Sequence, residues 1–326
     1  MKMVTVGYGS LAALNKASSD PLRLQILRVL ARDAFGVLEL CQIFEHRQSG
    51  MSHHLKVLAE VGLVAKRREG NSIFYSRGLP ADFGALLALQ KQLFAVVDTL
   101  ALSPQLRAGV ARIKRERAAQ SRSFFERHAN QFKWQQDLIA DYSTYGEAVV
   151  KLLQKVLTEN RNRAIEIGPG QGEFLPALAK IYQSVLALDN SPALLEQARR
   201  YSQEKNIGNV EFVCGDTRYL KGVEAADCIV MNMVLHHTPS PAEIFQDIAG
   251  ALDTNGIAII TELCRHDQDW VKTSCGDLWM GFEPDELQAY AASCDLKNEN
   301  SHYFALRNGF QIQLQQFVKK APGTVL

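Results

Sequence analysis

The sequence predicts an α/β protein in two parts. An N-terminal all-helical winged helix-turn-helix domain, helical but for a basic hairpin, precedes a C-terminal domain with a parallel sheet and helices on both faces. Three observations predict it. Short amphipathic stretches run to about residue 60 and end in the hairpin Lys66–Tyr75. A glycine turn, Glu166-Ile167-Gly168-Pro169-Gly170-Gln171-Gly172, follows the apolar run Ala164–Ile167 and precedes an amphipathic segment, Phe174–Lys180. Beyond it, apolar runs alternate with helical stretches, and polar acceptors close the runs. A length of 326 residues suits two domains better than one.

The N-terminal elements follow from periodicity and punctuation. Leu11–Ser18 reads as a short helix. Asp20-Pro21 opens a second, with Leu22, Ile26, Leu27, Val29 and Leu30 apolar and Arg23, Arg28 and Arg32 elsewhere. Val37–Phe44 is a third. After the polar break Glu45–Ser49, the fourth shows Met51, Leu55, Leu58 and Ala59 on one face. Lys66–Tyr75, with Gly70 inside it, reads strand, turn, strand. Gln48 at the break, and Ser49, Ser52, His53 and Lys56 off the apolar face, can meet base edges or phosphates. Lys66, Arg67 and Arg68 sit where a wing touches a DNA backbone. The plainer alternative is a solvated helix with a charged hairpin.

The stretch Asp20–Arg77, with DPLRLQILRVL and SHHLKVLAEVGLVAKRREGNSIFYS, resembles the ArsR family of bacterial repressors. The resemblance implies a homodimer on an inverted-repeat operator in double-stranded DNA. Departures are Arg47 in place of a small cap residue, Gly50 in place of a threonine, and Ile43 in place of one of two arsenic-binding cysteines, Cys41 alone matching. Phe83–Asp98 also lacks the histidines of the family's zinc site. No metal is therefore expected. Phe83–Leu100 carries more apolar residues than one stripe needs, which a dimer helix explains; packing on the C-terminal domain is the alternative.

Ser103-Pro104 breaks that helix, and Arg107–Arg127 is rich in arginine: a solvated linker helix, or an extra phosphate contact. Aromatics then gather from Phe124 to Tyr145.

In the C-terminal domain, Val185–Leu188 ends in Asp189, 23 residues after Glu166, near the offset of a ribose-binding carboxylate. Asn190 follows, then Ser191-Pro192, a helix cap with proline at the first position. Val210–Val213 leads to Asp216 and Thr217, Cys228–Met231 to Asn232, and Ile257–Ile260 to Glu262. Pro284–Ser293 is a helix, and Phe310–Val318 the last strand, antiparallel at the sheet edge. A nicotinamide fingerprint fits poorly, because Glu173 stands where its third glycine belongs.

The turn at Glu166–Gly172 resembles motif I of class I S-adenosylmethionine (SAM)-dependent methyltransferases, and VLHH at Val234–His237 resembles the segment after their fourth strand. The resemblance implies a Rossmann-like, seven-stranded domain that binds SAM or S-adenosylhomocysteine (SAH). It implies Glu166, Gly168, Gly170, Gly172, Asp189, Asn190, Asp216, Thr217 and Asn232 around the ligand. Asp216 would meet the adenine amino group, and Tyr142 and Tyr145 would form a lid; some of these aromatics are equally core. The expected divisions are 1–100 for the winged domain with its dimer helix, 101–145 for linker and lid, and 146–326 for the methyltransferase-like domain.

A net charge of +1 singles out no partner, and six scattered cysteines with no C-x-x-C pair fit a reducing cytoplasm. No apolar run reaches the roughly 18 residues of a membrane span, and the N-terminus lacks a signal-peptide core. Two functions stay open: a DNA-binding regulator with SAM or SAH as effector, or a working methyltransferase with His236, His237 or His266 as base. The N-P-P-Y signature of amino-base DNA methylation is absent after Asn232.

Overall fold

The computed structural model describes residues 7–70, 72–78, 84–128, 132–155 and 161–320. They fall into two compact units, Met1–Arg117 and Ala118–Leu326.

The first unit contains α1 (Tyr8–Ser18), α2 (Pro21–Val29), β1 (Phe35–Gly36), α3 (Val37–Phe44), α4 (Gln48–Glu60), β2 (Val64–Glu69), β3 (Ser72–Arg77), α5 (Gly84–Thr99) and the first half of α6 (Pro104–His128). Asp20 caps α2 by accepting from the Arg23 N–H at 3.0 Å, with Pro21 behind it. Ile26, Leu27, Leu40, Ile43, Met51, Leu55 and Leu58 bury their side chains together, and Val97 of α5 and Ile113 of α6 join them. The three strands pair antiparallel in the order β1-β3-β2, so the wing is a hairpin closed by a third short strand. Arg77 binds both carboxylate oxygens of Asp98, at 2.9 and 2.8 Å, and ties β3 to α5.

The arginine-rich segment differs from the expected solvated linker. α6 is one unbroken helix across the unit boundary, with Leu106, Ile113, Arg117, Ser121 and Phe125 buried. Near four-residue spacing puts them on one face. Compactness therefore divides the chain inside α6, after residue 117, rather than at 100 and 145. Arg117 holds Glu39 of α3 through Nε (2.8 Å) and Nη2 (2.5 Å), and donates to the Ala34 carbonyl at 3.0 Å. Its guanidinium also lies 5.2 and 5.3 Å from the Phe35 and Phe74 ring centroids.

The second unit adds α7 (Phe132–Asp137) and α8 (Tyr142–Lys155), then β4 (Arg163–Ile167), α9 (Leu175–Ile181), β5 (Ser184–Asp189), α10 (Pro192–Glu204), β6 (Val210–Cys214), β7 (Ala226–Asn232), α11 (Pro241–Ala251), β8 (Leu252–Leu263), α12 (Trp270–Ser274), α13 (Pro284–Ala292), β9 (Leu296–Ala305) and β10 (Gln311–Lys319). Ser191 caps α10, its hydroxyl accepting from Leu194 N at 3.4 Å. The seven strands run β6-β5-β4-β7-β8-β10-β9. The first five are parallel, and β10 is antiparallel to both neighbours. The strand order reverses between β4 and β7, which places a ligand crevice at their carboxyl ends.

The last strand departs from expectation: β10 is not the edge, because β9 lies outside it. Gln313, Gln315 and Gln316 are buried on β10, and partners satisfy their amides. Gln313 donates to the Phe282 carbonyl at 2.7 Å, and Asn300 of β9 donates to Gln316 at 2.5 Å. Among the described residues no single helix is long and apolar enough to cross a membrane.

Replacing Arg117 by Met leaves Glu39 without its strongest partner. Urea denaturation should show the first unit less stable by about 2–4 kcal/mol. An unchanged midpoint would mean that the pair contributes nothing.

Candidate functional site

At the switch point the glycine turn brings backbone, not side chains, to the ends of β4 and β7. Gly168 has φ +67°, and a Cβ there would stand 2.5 Å from Val234 Cγ2. Gly172 has φ +85°, and its Cβ would meet Ala198 Cα at 3.1 Å. Only glycine combines a left-handed backbone with so close an approach. Gly170, also left-handed at +56°, turns its N–H toward the Asp189 carboxylate.

Glu166 is 2% exposed, and its Oε2 has no hydrogen-bond partner among the described residues. Burial, with the nearby Asp189 carboxylate, pushes its pKa up to about 8. Asp189, at the end of β5, accepts from Ser191 N at 2.8 Å. Burial raises it to about 6, against the lowering effect of the Ser191, Gly170 and Asn190 N–H groups. Asn190 is exposed beside it. Asn232, at the end of β7, accepts from Thr261 Oγ1 at 2.7 Å, while its Nδ2 is buried without a partner. Met233 follows with φ +56°, strained for a side-chain-bearing residue and without an omen in the sequence. Glu166, Asp189 and Asn232 thus close three adjacent strands, β5-β4-β7, around the turn.

Other expected residues have partners within the fold. Thr217 is buried and its hydroxyl donates to Asp247 at 2.7 Å, so its proton is already engaged. Asp216 is exposed and its carboxylate is engaged by Arg218 (2.5 Å between Oδ2 and Nη2), which lowers its pKa. Tyr145 is core rather than lid: it is 8% exposed and packs with Val149, Leu175 and Phe174. Tyr142 is half-buried on the same helix, its pKa raised to about 12 by burial and then by Glu166 and Glu173.

The histidines are not exposed bases. His236 is 2% exposed; its Nδ1 bonds Glu262 Oε1 at 2.5 Å and its N–H bonds Oε2 at 3.1 Å. Burial alone would lower its pKa, but the Glu262 and Asp277 carboxylates hold it up at about 9. His237, 7% exposed, is pushed far down by burial and by His236. His266 lies apart, its ring 4.8 Å from Phe310. His236 and His237 instead converge on Asp277, which no sequence motif singled out.

In the first unit, α4 shows Gln48, Ser49, His53 and Lys56 exposed and Ser52 half-buried, on the face away from Met51, Leu55 and Leu58. The missing side chain at Gly50 is explained locally: a Cβ there would stand 2.3 Å from the His46 ring. The wing needs one correction. Lys66 and Arg68 point outward, but Arg67 is buried and ion-paired with Glu69. Two residues apart on a strand share a face, so Arg67 and Glu69 turn inward together.

A winged helix-turn-helix unit and a unit with the seven-stranded methyltransferase topology are thus joined in one chain. A helix-turn-helix domain model matches residues 19–67, and a methyltransferase domain model matches residues 165–260. The arsenical resistance operon repressor of Staphylococcus xylosus is 36% identical over 70 residues, 22% of this chain and 67% of that protein. The ubiquinone biosynthesis O-methyltransferase of Coxiella burnetii is 23% identical over 180 residues, 50% of this chain and 76% of that protein. Among solved structures, the 1,6-didemethyltoxoflavin N1-methyltransferase of Burkholderia thailandensis, with bound 1,6-didemethyltoxoflavin and SAH, shares the fold at a TM-score of 0.51. It is 18% identical and the match covers 64% of this chain and 91% of that one. The chain belongs to the ArsR-type helix-turn-helix regulators, and it carries a class I methyltransferase domain.

The raised Glu166 pKa has a stability consequence. Between about pH 4.5 and 8 the folded state keeps a proton that the unfolded state releases, so stability falls as pH rises. Glu166→Gln removes that slope. The variant should match the ligand-free wild type near pH 5 and exceed it by about 2–4 kcal/mol at pH 8.5. Equal stability at both values would place an ionised Glu166 in the fold.

Proposed function

We propose that this protein is a DNA-binding transcriptional regulator whose methyltransferase domain binds SAM or SAH as its effector. The observation that carries this reading is the buried Glu166 carboxylate, short of a partner, beside a glycine turn only backbone can fill. Both ligands carry an α-ammonium group and a ribose. Glu166 would hold the ammonium and Asp189 the ribose hydroxyls. The turn's N–H groups would face the ligand's carboxylate. Asp216 would reach the adenine amino group once Arg218 releases it.

The arrangement favours sensing over catalysis. Methyl transfer needs a positioned nucleophile in line with the sulfonium carbon. The two histidines after β7 that would activate one are both buried. The alternative reading, a working methyltransferase for a small molecule, draws on the likeness to the Coxiella enzyme.

The DNA-binding part would act as a homodimer on an inverted repeat. Supporting this, α5 leaves Val96 59% exposed, and Leu100 just beyond it is 51% exposed.

Ligand binding at pH 7 should release a proton, because Glu166 must ionise to meet an ammonium group. Calorimetry in buffers of different ionisation enthalpy should show this for SAH, and Glu166→Gln should abolish the buffer dependence and weaken binding by about 1–3 kcal/mol. Sustained methyl transfer from labelled SAM to small acceptors would favour the catalytic reading. Replacing Lys66 or Arg68 should weaken all duplexes alike and flatten the salt slope by roughly one unit, whereas Ser52→Ala or His53→Ala should blur base preference. The reverse pattern would exchange the roles of wing and helix. Val96→Asp should yield a monomer by light scattering; a persisting dimer would move the interface off this face of α5.

A further inference from the structure

We propose that His236, His237 and Asp277 form a binding site for a first-row divalent metal ion, with Zn²⁺ the best match. The three side chains come from two segments, the turn after β7 and the loop between α12 and α13. His236 Nε2 lies 3.9 Å from Asp277 Oδ1, and His237 Nδ1 lies 3.6 Å from the same oxygen. One donor atom from each residue falls within 4.8 Å of the other two. Slight inward rotations bring such a set to the roughly 2.0–2.2 Å bonds that nitrogen and carboxylate oxygen make to zinc.

The surroundings are those of a metal site rather than of a loose polar cluster. Glu262 binds His236 Nδ1 at 2.5 Å, so Nε2, on the side of Asp277, is the nitrogen a metal would take in exchange for a proton. A carboxylate behind a histidine is how proteins orient metal-bound imidazoles. Asp277 is held in place through its loop. Leu278 and Trp279 donate their N–H groups to the His236 carbonyl at 2.9 and 3.1 Å. The Trp279 indole donates to the Thr238 carbonyl at 2.8 Å. All three candidate ligands are buried, at 2%, 7% and 4% exposure.

Charge argues the same way. Two carboxylates, Glu262 and Asp277, are buried against two imidazoles. A divalent cation between them is attracted to both carboxylates. Two nitrogens and one oxygen suit zinc and its first-row neighbours and disfavour calcium and magnesium, which take oxygen sets. The proposal does not depend on the effector reading. The site lies under α6, where Ser121 donates to the His237 carbonyl at 3.3 Å and the Phe125 ring meets the His237 ring edge at 5.0 Å.

The test uses untagged full-length protein stripped with a chelator and titrated with Co²⁺ and Zn²⁺. One equivalent of Co²⁺ per chain should give visible d–d absorption, displaced by Zn²⁺, and Zn²⁺ should raise the melting temperature. Asp277→Asn and His237→Gln should each weaken Co²⁺ binding roughly tenfold or more, with circular dichroism unchanged. His302→Ala, exposed on β9, should bind as the wild type does. Should the two variants fail to fold, X-ray absorption of the wild-type Co²⁺ complex decides, through a sulfur-free shell containing two imidazoles. No absorption band and no thermal shift in folded wild type, a shell without two imidazoles, or wild-type affinity in both folded variants would overturn the site.

Discussion

A carboxylate taken out of water without a full set of hydrogen bonds is costly, and Glu166 is such a group. Burial, with the Asp189 carboxylate beside it, pushes its pKa up to about 8. The features around it make sense from that cost. Gly168 and Gly172 remove side chains that would fill the space. Asp189, stabilised by backbone N–H groups, keeps a second carboxylate close by, which raises Glu166 further. A cationic ligand relieves both at once.

The second constraint is α6. Four-residue spacing gives it one buried face over its whole length, and its polar members are specific: Arg117 closes on Glu39 between two phenylalanine rings, and Ser121 reaches the His237 carbonyl. Such a helix cannot slide or turn without breaking those bonds. In the first unit, α4 packs against its neighbour α3 in the same core as Ile113.

Much of this was legible in the residues, for physical reasons. Parallel strands buried on both faces are continuous apolar runs, so β4, β5, β7 and the core of β8 stood out, with the acceptors Glu166, Asp189, Asn232 and Glu262 that close them. The caps Asp20 and Ser191 were readable because capping depends on local sequence. β9 was not, since Leu296–Ala305 is largely polar and pairs on one side only. Three tertiary effects were also hidden. Arg67 and Arg117 look like surface charge until Glu69 and Glu39 are seen beside them, and Thr217 looks available until Asp247 is. The meeting of His236 and His237 with Asp277 depends on a loop pinned to a carbonyl, which no spacing rule reveals.

The central claim is that the effector site and the DNA-binding surface are coupled. A ligand shifts DNA binding only through different affinities for two protein states. SAM and SAH differ by one methyl group and one positive charge. The direct measurement is fluorescence anisotropy on an operator selected from random duplexes, at fixed salt, with protein alone, saturated with SAM, and saturated with SAH. The account predicts three distinct affinities, separated by about 1–3 kcal/mol of coupling, and loss of the separation in Glu166→Gln. Equal affinity in all three conditions, with calorimetry showing both ligands bound, would contradict it.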